Sequence, residues 1–136
     1  MNAKVRWKKR MSFIGRADSG FELPLGTKPE VGGDNDGFLP MELFLIGLAG
    51  CTAMDVMSIL TKQKQEITEF EVLVNAERAE SHPKVFTKSI IEYVIAGKDI
   101  SEKAVDTAVR LSAEKYCPAQ AMLGQVMQIE LKITIK

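Results

Sequence analysis

Pro40-Met41-Glu42-Leu43-Phe44-Leu45-Ile46-Gly47-Leu48-Ala49-Gly50-Cys51-Thr52-Ala53-Met54-Asp55-Val56-Met57 is the stretch on which the fold turns. Proline suits a first helical turn, where its missing N–H costs nothing, and Glu42 suits the positive end of the helix dipole. The spacing predicts a helix from Pro40 to about Lys64, apolar on nearly every face through Met57. Such a helix is central and covered on both sides. Gly47 and Gly50 each cost roughly 1 kcal/mol against alanine, so close packing at those positions is expected. In a chain of 136 residues one sheet covers one side of this helix. The simplest cover for the other side is the same helix of a second copy, and a homodimer is expected.

Upstream, Ala3 to Phe13 alternates in strand fashion with Val5, Trp7 and Phe13 inward. Lys4, Arg6, Lys8, Lys9 and Arg10 then form an outward face, not a nucleic-acid arm. Gly15 to Gly20 reads as a turn, Phe21-Glu22-Leu23 as a returning strand, and Pro24 as its end or an edge position. Gly26 to Gly37, with Pro29, Gly32, Gly33, Asp34, Asn35 and Asp36, is a mobile loop near a site by expectation. Downstream, Glu69 to Ala79 and Lys84 to Ala96 are two long strands joined around Ser81-His82-Pro83. Ser101 caps a second helix whose packing stripe is Ala104, Val105, Ala108, Leu111 and Ser112. That helix breaks at Cys117-Pro118, a short helical piece covers Ala119 to Leu123, and Gln128 to Lys136 is a last strand. Hairpin-paired strands with helices in the middle make an α+β fold, one domain over residues 1–136.

Hydrophobic residues are 46% and charged residues 26%, with 18 basic against 18 acidic side chains. A zero formal charge offers no field to steer the chain to nucleic acid or an anionic membrane. The apolar run from Leu39 to Leu60 is interrupted by Glu42, Thr52, Asp55 and Ser58, so no bilayer span is expected. No signal-peptide pattern precedes the first strand. A cytoplasmic location is expected, where thiols stay reduced unless chemistry oxidises them.

The chain has two cysteines. Cys51 sits among small residues inside the apolar helix. Cys117 sits at a helix seam, where Pro118 at a first helical position makes it an N-cap with its sulfur near free N–H groups that favour thiolate, and Lys115 adds to that field. Peroxide reduction needs an attacking thiolate and a second thiol to resolve the sulfenic acid. Cys51 has the setting for the first role and Cys117 for the second, with Phe44, Leu48, Met54 and Met122 as an apolar pocket. Two buried, inert thiols fit the same residues. A zinc site with His82 and an acid fits worse, since there is no Cys-x-x-Cys and only one histidine.

Pro40-Met41-Glu42-Leu43-Phe44, Gly47-Leu48-Ala49-Gly50-Cys51 and, far downstream, Glu114-Lys115-Tyr116-Cys117-Pro118 resemble the OsmC/Ohr family of hydroperoxide-resistance proteins, in the style of its YhfA-like branch. The resemblance covers essentially the whole chain. It implies antiparallel sheets wrapped around central helices in an intertwined homodimer, with active sites at the subunit interface. It places the peroxidatic cysteine on Cys51 and the resolving cysteine on Cys117. It also implies reduction of small organic hydroperoxides without haem, flavin or metal, at the expense of a dithiol such as dihydrolipoamide. The family's arginine falls on Arg16. Its partner carboxylate directly follows the helix-opening proline, and here that position is Met41. Glu42 stands one step later, about 100° around the helix, as the remaining candidate acid or as a helix cap. The alternative function is a stress-associated binding or structural protein whose thiols no longer turn over.

Overall fold

In the computed structural model, which describes Met1–Lys136, the chain divides into two compact units, Met1–Phe44 and Leu45–Lys136. The element order is three strands, a long helix, two strands, two helices and a last strand, as the sequence pattern has it from the long helix onward.

The first unit is a meander of β1 (Ala3–Lys9), β2 (Ser12–Ala17) and β3 (Glu22–Leu25), antiparallel throughout. The expected single strand from Ala3 to Phe13 is in fact two strands turning at Arg10, whose φ of 47° is left-handed. No glycine, proline or asparagine marks that turn. It is held instead by Trp7 Nε1 donating to the Arg10 carbonyl at 2.8 Å. Val5 and Trp7, expected inward, are exposed along with the rest of β1. Gly15 and Arg16 belong to β2, not to a turn, and Pro24 lies within β3 on the edge of the sheet, where a missing N–H is tolerated. The segment after β3 is pinned. Buried Ser12 donates to Asp36 Oδ2 at 2.6 Å, and Arg10 reaches Asp34 at 3.3 Å and the Gly32 carbonyl at 3.0 Å. A Cβ at Gly33 would meet the Thr27 carbonyl oxygen at 2.0 Å, so only glycine fits there.

The second unit carries a sheet of β4 (Glu66–Arg78), β5 (Phe86–Lys98) and β6 (Gln128–Ile135) in the order 4-5-6. Antiparallel pairing holds between β4 and β5, which are joined by a loop. β6 runs parallel to β5, because the intervening helices carry the chain back to the starting end before β6 begins. α1 (Pro40–Lys62) enters this unit at Leu45. α2 (Glu102–Leu111) is capped by Ser101, whose Oγ accepts from the Ala104 N–H at 3.2 Å. A π-helical turn, Ser112–Tyr116, then leads to α3 (Pro118–Leu123). Leu48, Val56, Leu60, Ile91, Tyr93, Ile95, Val105 and Ala108 are fully buried and form the core.

α1 buries only Leu48, Thr52, Val56 and Leu60, one stripe at i, i+4 spacing. Ile46 and Met54 on other faces are 52% and 77% exposed. Gly47 and Gly50 have nothing within 4 Å of an added Cβ, so no close packing within this chain accounts for them. The helix is also unbroken for 23 residues, with a mean hydropathy of 2.0 over its most apolar stretch. By length and composition it is sufficient to cross a membrane, contrary to the expectation from its polar interruptions. Two of those interruptions, Thr52 and Asp55, are hydrogen-bonded to other elements of the second unit. That is the pattern of a helix packed on a protein core.

Candidate functional site: a thiol pair over a buried polar network

Cys51 lies in the middle of α1 and is half-buried; Cys117 is 3% exposed, and both are free thiols. A π turn positions Cys117. Its widened ring is closed by the Cys117 N–H on the Ser112 carbonyl at 2.8 Å, and single π turns of this kind occur often at functional sites. Cys117 is then extended (φ −78°, ψ 104°) as the N-cap of α3, with Pro118 opening the helix, as the sequence suggested. Its Sγ accepts from the Gln120 N–H at 3.4 Å.

The cap does not make Cys117 a thiolate. Burial pushes its pKa up from 9.0 to about 11, and the adjoining Cys51 thiol adds to the rise, while the Gln120 and Ala119 N–H groups pull the other way and lose. Desolvation disfavours the charged form more than two amide dipoles favour it. Lys115, expected to help, instead sits over the Tyr116 ring at 5.3 Å. The Cys51 thiol is among the causes of that rise, so the two thiols interact although 66 positions, counting from 51 to 117, separate them in the chain.

Thr52, next to Cys51, and Gln120, three residues beyond Cys117, belong to a network the sequence reading missed. Thr52 Oγ1 is 2.7 Å from the Tyr93 hydroxyl and 2.8 Å from Ser112 Oγ. Ser112 donates to Asp55 Oδ2 at 2.9 Å. Gln120 Nε2 donates to Thr52 Oγ1 at 3.1 Å and to the Tyr93 hydroxyl at 3.3 Å. A carboxylate only accepts, so the Ser112 hydrogen is committed to Asp55 and Ser112 must accept from Thr52. Thr52 in turn accepts from Tyr93. The chain therefore has one direction, Tyr93 to Thr52 to Ser112 to Asp55. Burial raises the Tyr93 pKa, which keeps it the donor this order requires. The signal was available in the sequence. Thr52 falls on the buried stripe of α1 and Ser112 on that of α2, and a polar group on a buried stripe must find a partner.

The other two expected site residues lie in the first unit. Arg16, in β2, faces Glu22 across the strand pair with an N–O separation of 3.8 Å, both side chains about half exposed. It borders an apolar cleft of that unit with Val5, Phe21, Leu23 and Leu43. Arg16 forms no ion pair with Glu42. Glu42 Oε1 accepts from the Leu39 N–H at 2.8 Å while its own N–H donates to the Leu39 carbonyl. That reciprocal arrangement is a helix cap. Leu48, expected in a substrate pocket, is wholly buried in the core, while Met54 and Met122 are exposed. No three His, Cys, Asp or Glu side chains cluster as a metal site, and His82 lies in the β4–β5 loop.

Residues 33–132 match the OsmC-like protein family. The chain is 37% identical over 129 residues to protein YhfA of Escherichia coli K12, an overlap of 95% of this chain and 93% of that one. Among solved structures, a hypothetical protein from Aquifex aeolicus superimposes with a TM-score of 0.87 at 31% identity, covering 99% of this chain and 95% of the other. An organic hydroperoxide resistance protein from Legionella pneumophila shares the fold with a TM-score of 0.70 at 17% identity, covering 98% and 95%. With its family match spanning the thiol pair and its similarity to YhfA running through nearly its whole length, the chain belongs to the OsmC-like family.

Proposed function

We propose that the protein is a cysteine-based thiol peroxidase for small organic hydroperoxides, working without a bound cofactor. The observation that carries this reading is a half-buried Cys51 whose thiol adds to the raised pKa of a buried Cys117, the N-cap of α3, in a chain with no other cysteine. The Cys51 thiolate attacks the distal peroxide oxygen; the S–O bond forms as the O–O bond breaks, and the alkoxide leaves and takes a proton as alcohol. Cys117 then attacks the Cys51 sulfenic acid. The S–S bond forms, and the hydroxyl leaves with the Cys117 proton as water. A small dithiol, of the dihydrolipoamide class, returns the disulfide to two thiols, a cycle suited to the reducing cytoplasm. The family resemblance is the support for giving Arg16 the role of holding the thiolate and polarising the peroxide. Glu42, occupied as a cap, is left a structural part, with Glu22 as the carboxylate partner of Arg16. Some proteins of the same fold are named organic hydroperoxide resistance proteins, which supports the substrate class.

Intact-mass analysis after one equivalent of cumene hydroperoxide tests this. Loss of two hydrogens, abolished by reduction, is the expected result; an unchanged mass overturns it. The second reading, a binding protein with idle thiols, is favoured by one observation, the engagement of Glu42 in capping where the family's carboxylate is absent.

The working form in this proposal is a homodimer joined through α1. Support comes from the exposed Ile46 and Met54, the uncrowded Gly47 and Gly50, and the apolar groove of Ala53, Met54, Met57 and Phe70 beside them. Light scattering should give about twice the 15.1 kDa chain mass, and Met54→Asp should return it to the single-chain value. A wild-type chain that runs as a monomer at every concentration would count against the dimer.

A further inference from the structure

Granted the dithiol chemistry proposed above, we infer that Gln120 is a positioning residue that locks the Cys117 sulfur against Cys51, using Thr52 and Tyr93 as its anchor. Gln120 is the one side chain in the network that belongs to the same short helix as Cys117. Its backbone N–H holds Cys117 Sγ at 3.4 Å, and its amide donates to Thr52 and Tyr93 at 3.1 and 3.3 Å. Thr52 directly follows Cys51 on α1, so a single residue spans from one sulfur to the residue beside the other. α3 is only six residues long and follows a π turn, so its own backbone hydrogen bonds leave its direction loosely defined.

The anchor is itself immobile. Gln120 is 6% exposed, and Thr52, Tyr93 and Ser112 are fully buried. The proton order derived above leaves Thr52 Oγ1 accepting from Gln120 and Tyr93 and donating to Ser112, which uses its bonding capacity fully. Neither an apolar side chain nor an acceptor-only one at position 120 satisfies that arrangement. A satisfied buried network of this kind selects one arrangement of the elements that share it. Here the elements are α1, β5, the π turn and α3, and the arrangement selected is the one that places the two sulfurs side by side.

The quantity such a residue controls is the effective concentration of one thiol toward the other. It is read from the equilibrium of the folded protein with glutathione, in which the two protein thiols are oxidised to a disulfide, one oxidised glutathione is reduced, and both protons pass to the glutathione sulfurs. Gln120→Met keeps length and volume but removes both donors; Thr52→Val removes the shared hydroxyl at constant shape; Thr52→Ser keeps it. The equilibrium constant for the Cys51–Cys117 disulfide should fall about tenfold in Gln120→Met, which loses two hydrogen bonds, and at least as much in Thr52→Val, which loses three. In Thr52→Ser it should stay at the wild-type value. Urea midpoints measured in parallel report stability separately, and a purely structural role would move those midpoints without moving the glutathione equilibrium. An equilibrium constant unchanged or raised in both Gln120→Met and Thr52→Val overturns the assignment, as does a wild-type protein that forms no Cys51–Cys117 disulfide in excess oxidised glutathione. Peroxide plays no part in this measurement. Failure of cumene hydroperoxide to oxidise the protein would therefore remove the peroxidase reading and leave the positioning role standing.

Discussion

Cys51→Ser should bring the consumption of cumene hydroperoxide down to the background rate of the reductant alone, a loss of several orders of magnitude if turnover is that of an ordinary enzyme. Cys117→Ser should behave differently. It should still consume peroxide stoichiometrically, gain the mass of one oxygen at Cys51, and pass on to the sulfinic acid when peroxide is in excess. The asymmetry follows from the environments of the two thiols. Cys117 is buried and its pKa is pushed up to about 11, so it is a poor first nucleophile at neutral pH. Cys51 is only half-buried and so the more accessible of the two thiols. Burial and suppressed ionisation weigh less on Cys117 as the second reactant, because the proposed attack on the Cys51 sulfenic acid is intramolecular. Stopped-flow peroxide consumption with mass spectrometry of both variants decides the matter, and equal consumption by the two single variants would remove the assignment of roles.

Alkylation of Cys117 should titrate far above an ordinary thiol. A rise from 9.0 to about 11 is two pH units, so at neutral pH the thiolate fraction is about a hundredfold below that of a model thiol. In the Cys51→Ser variant, which isolates Cys117, iodoacetamide should react slowly at pH 8 and speed up steeply only beyond pH 10. Loss of the Cys51 neighbour brings the midpoint slightly lower than in the wild type, because burial is the larger cause and remains. The same shift makes a stability statement. The folded pKa is raised, so the preference for the neutral thiol contributes fully below pH 9 and is lost as pH rises to about 11. Tyr93, also raised by burial, loses its contribution on the same alkaline side, and its ionisation removes the hydrogen it donates to Thr52. Urea midpoints from pH 7 to 11 should therefore fall through that window, and fall less in Cys117→Ala. A Cys117 that alkylates with a midpoint near 9 would mean that its sulfur is not desolvated as described.

The thiol pair shows how far residue patterns reach. Pro118 beside Cys117 announced an N-cap, and the cap is there. Its chemical consequence was inverted, because a cap is a local dipole effect legible in four residues whereas burial depends on what α1 and β5 bring over the top. Glu42 followed the same logic from the other side. As a residue three beyond Leu39 at a helix start it had the spacing of a capping side chain, and that is the role its carboxylate occupies. The split of the first expected strand at Arg10 was not legible, since a left-handed arginine carries no compositional mark and is stabilised by a tryptophan side chain three residues away.

By itself the sequence determined the α+β class, the long apolar helix, the order of elements from that helix onward and the family, because periodicity, capping and turn residues act over a few positions and survive without knowledge of the rest. Only the tertiary structure decided which face of α1 is covered and that β6 pairs parallel to β5. It alone coupled Cys51 to Cys117 and joined Tyr93, Thr52, Ser112 and Asp55 in one hydrogen-bonded chain. Those features depend on groups 41 to 68 residues apart meeting in space, and the free energy that selects such meetings, desolvation against hydrogen bonding, is set by the surroundings of a residue and not by its neighbours in the chain.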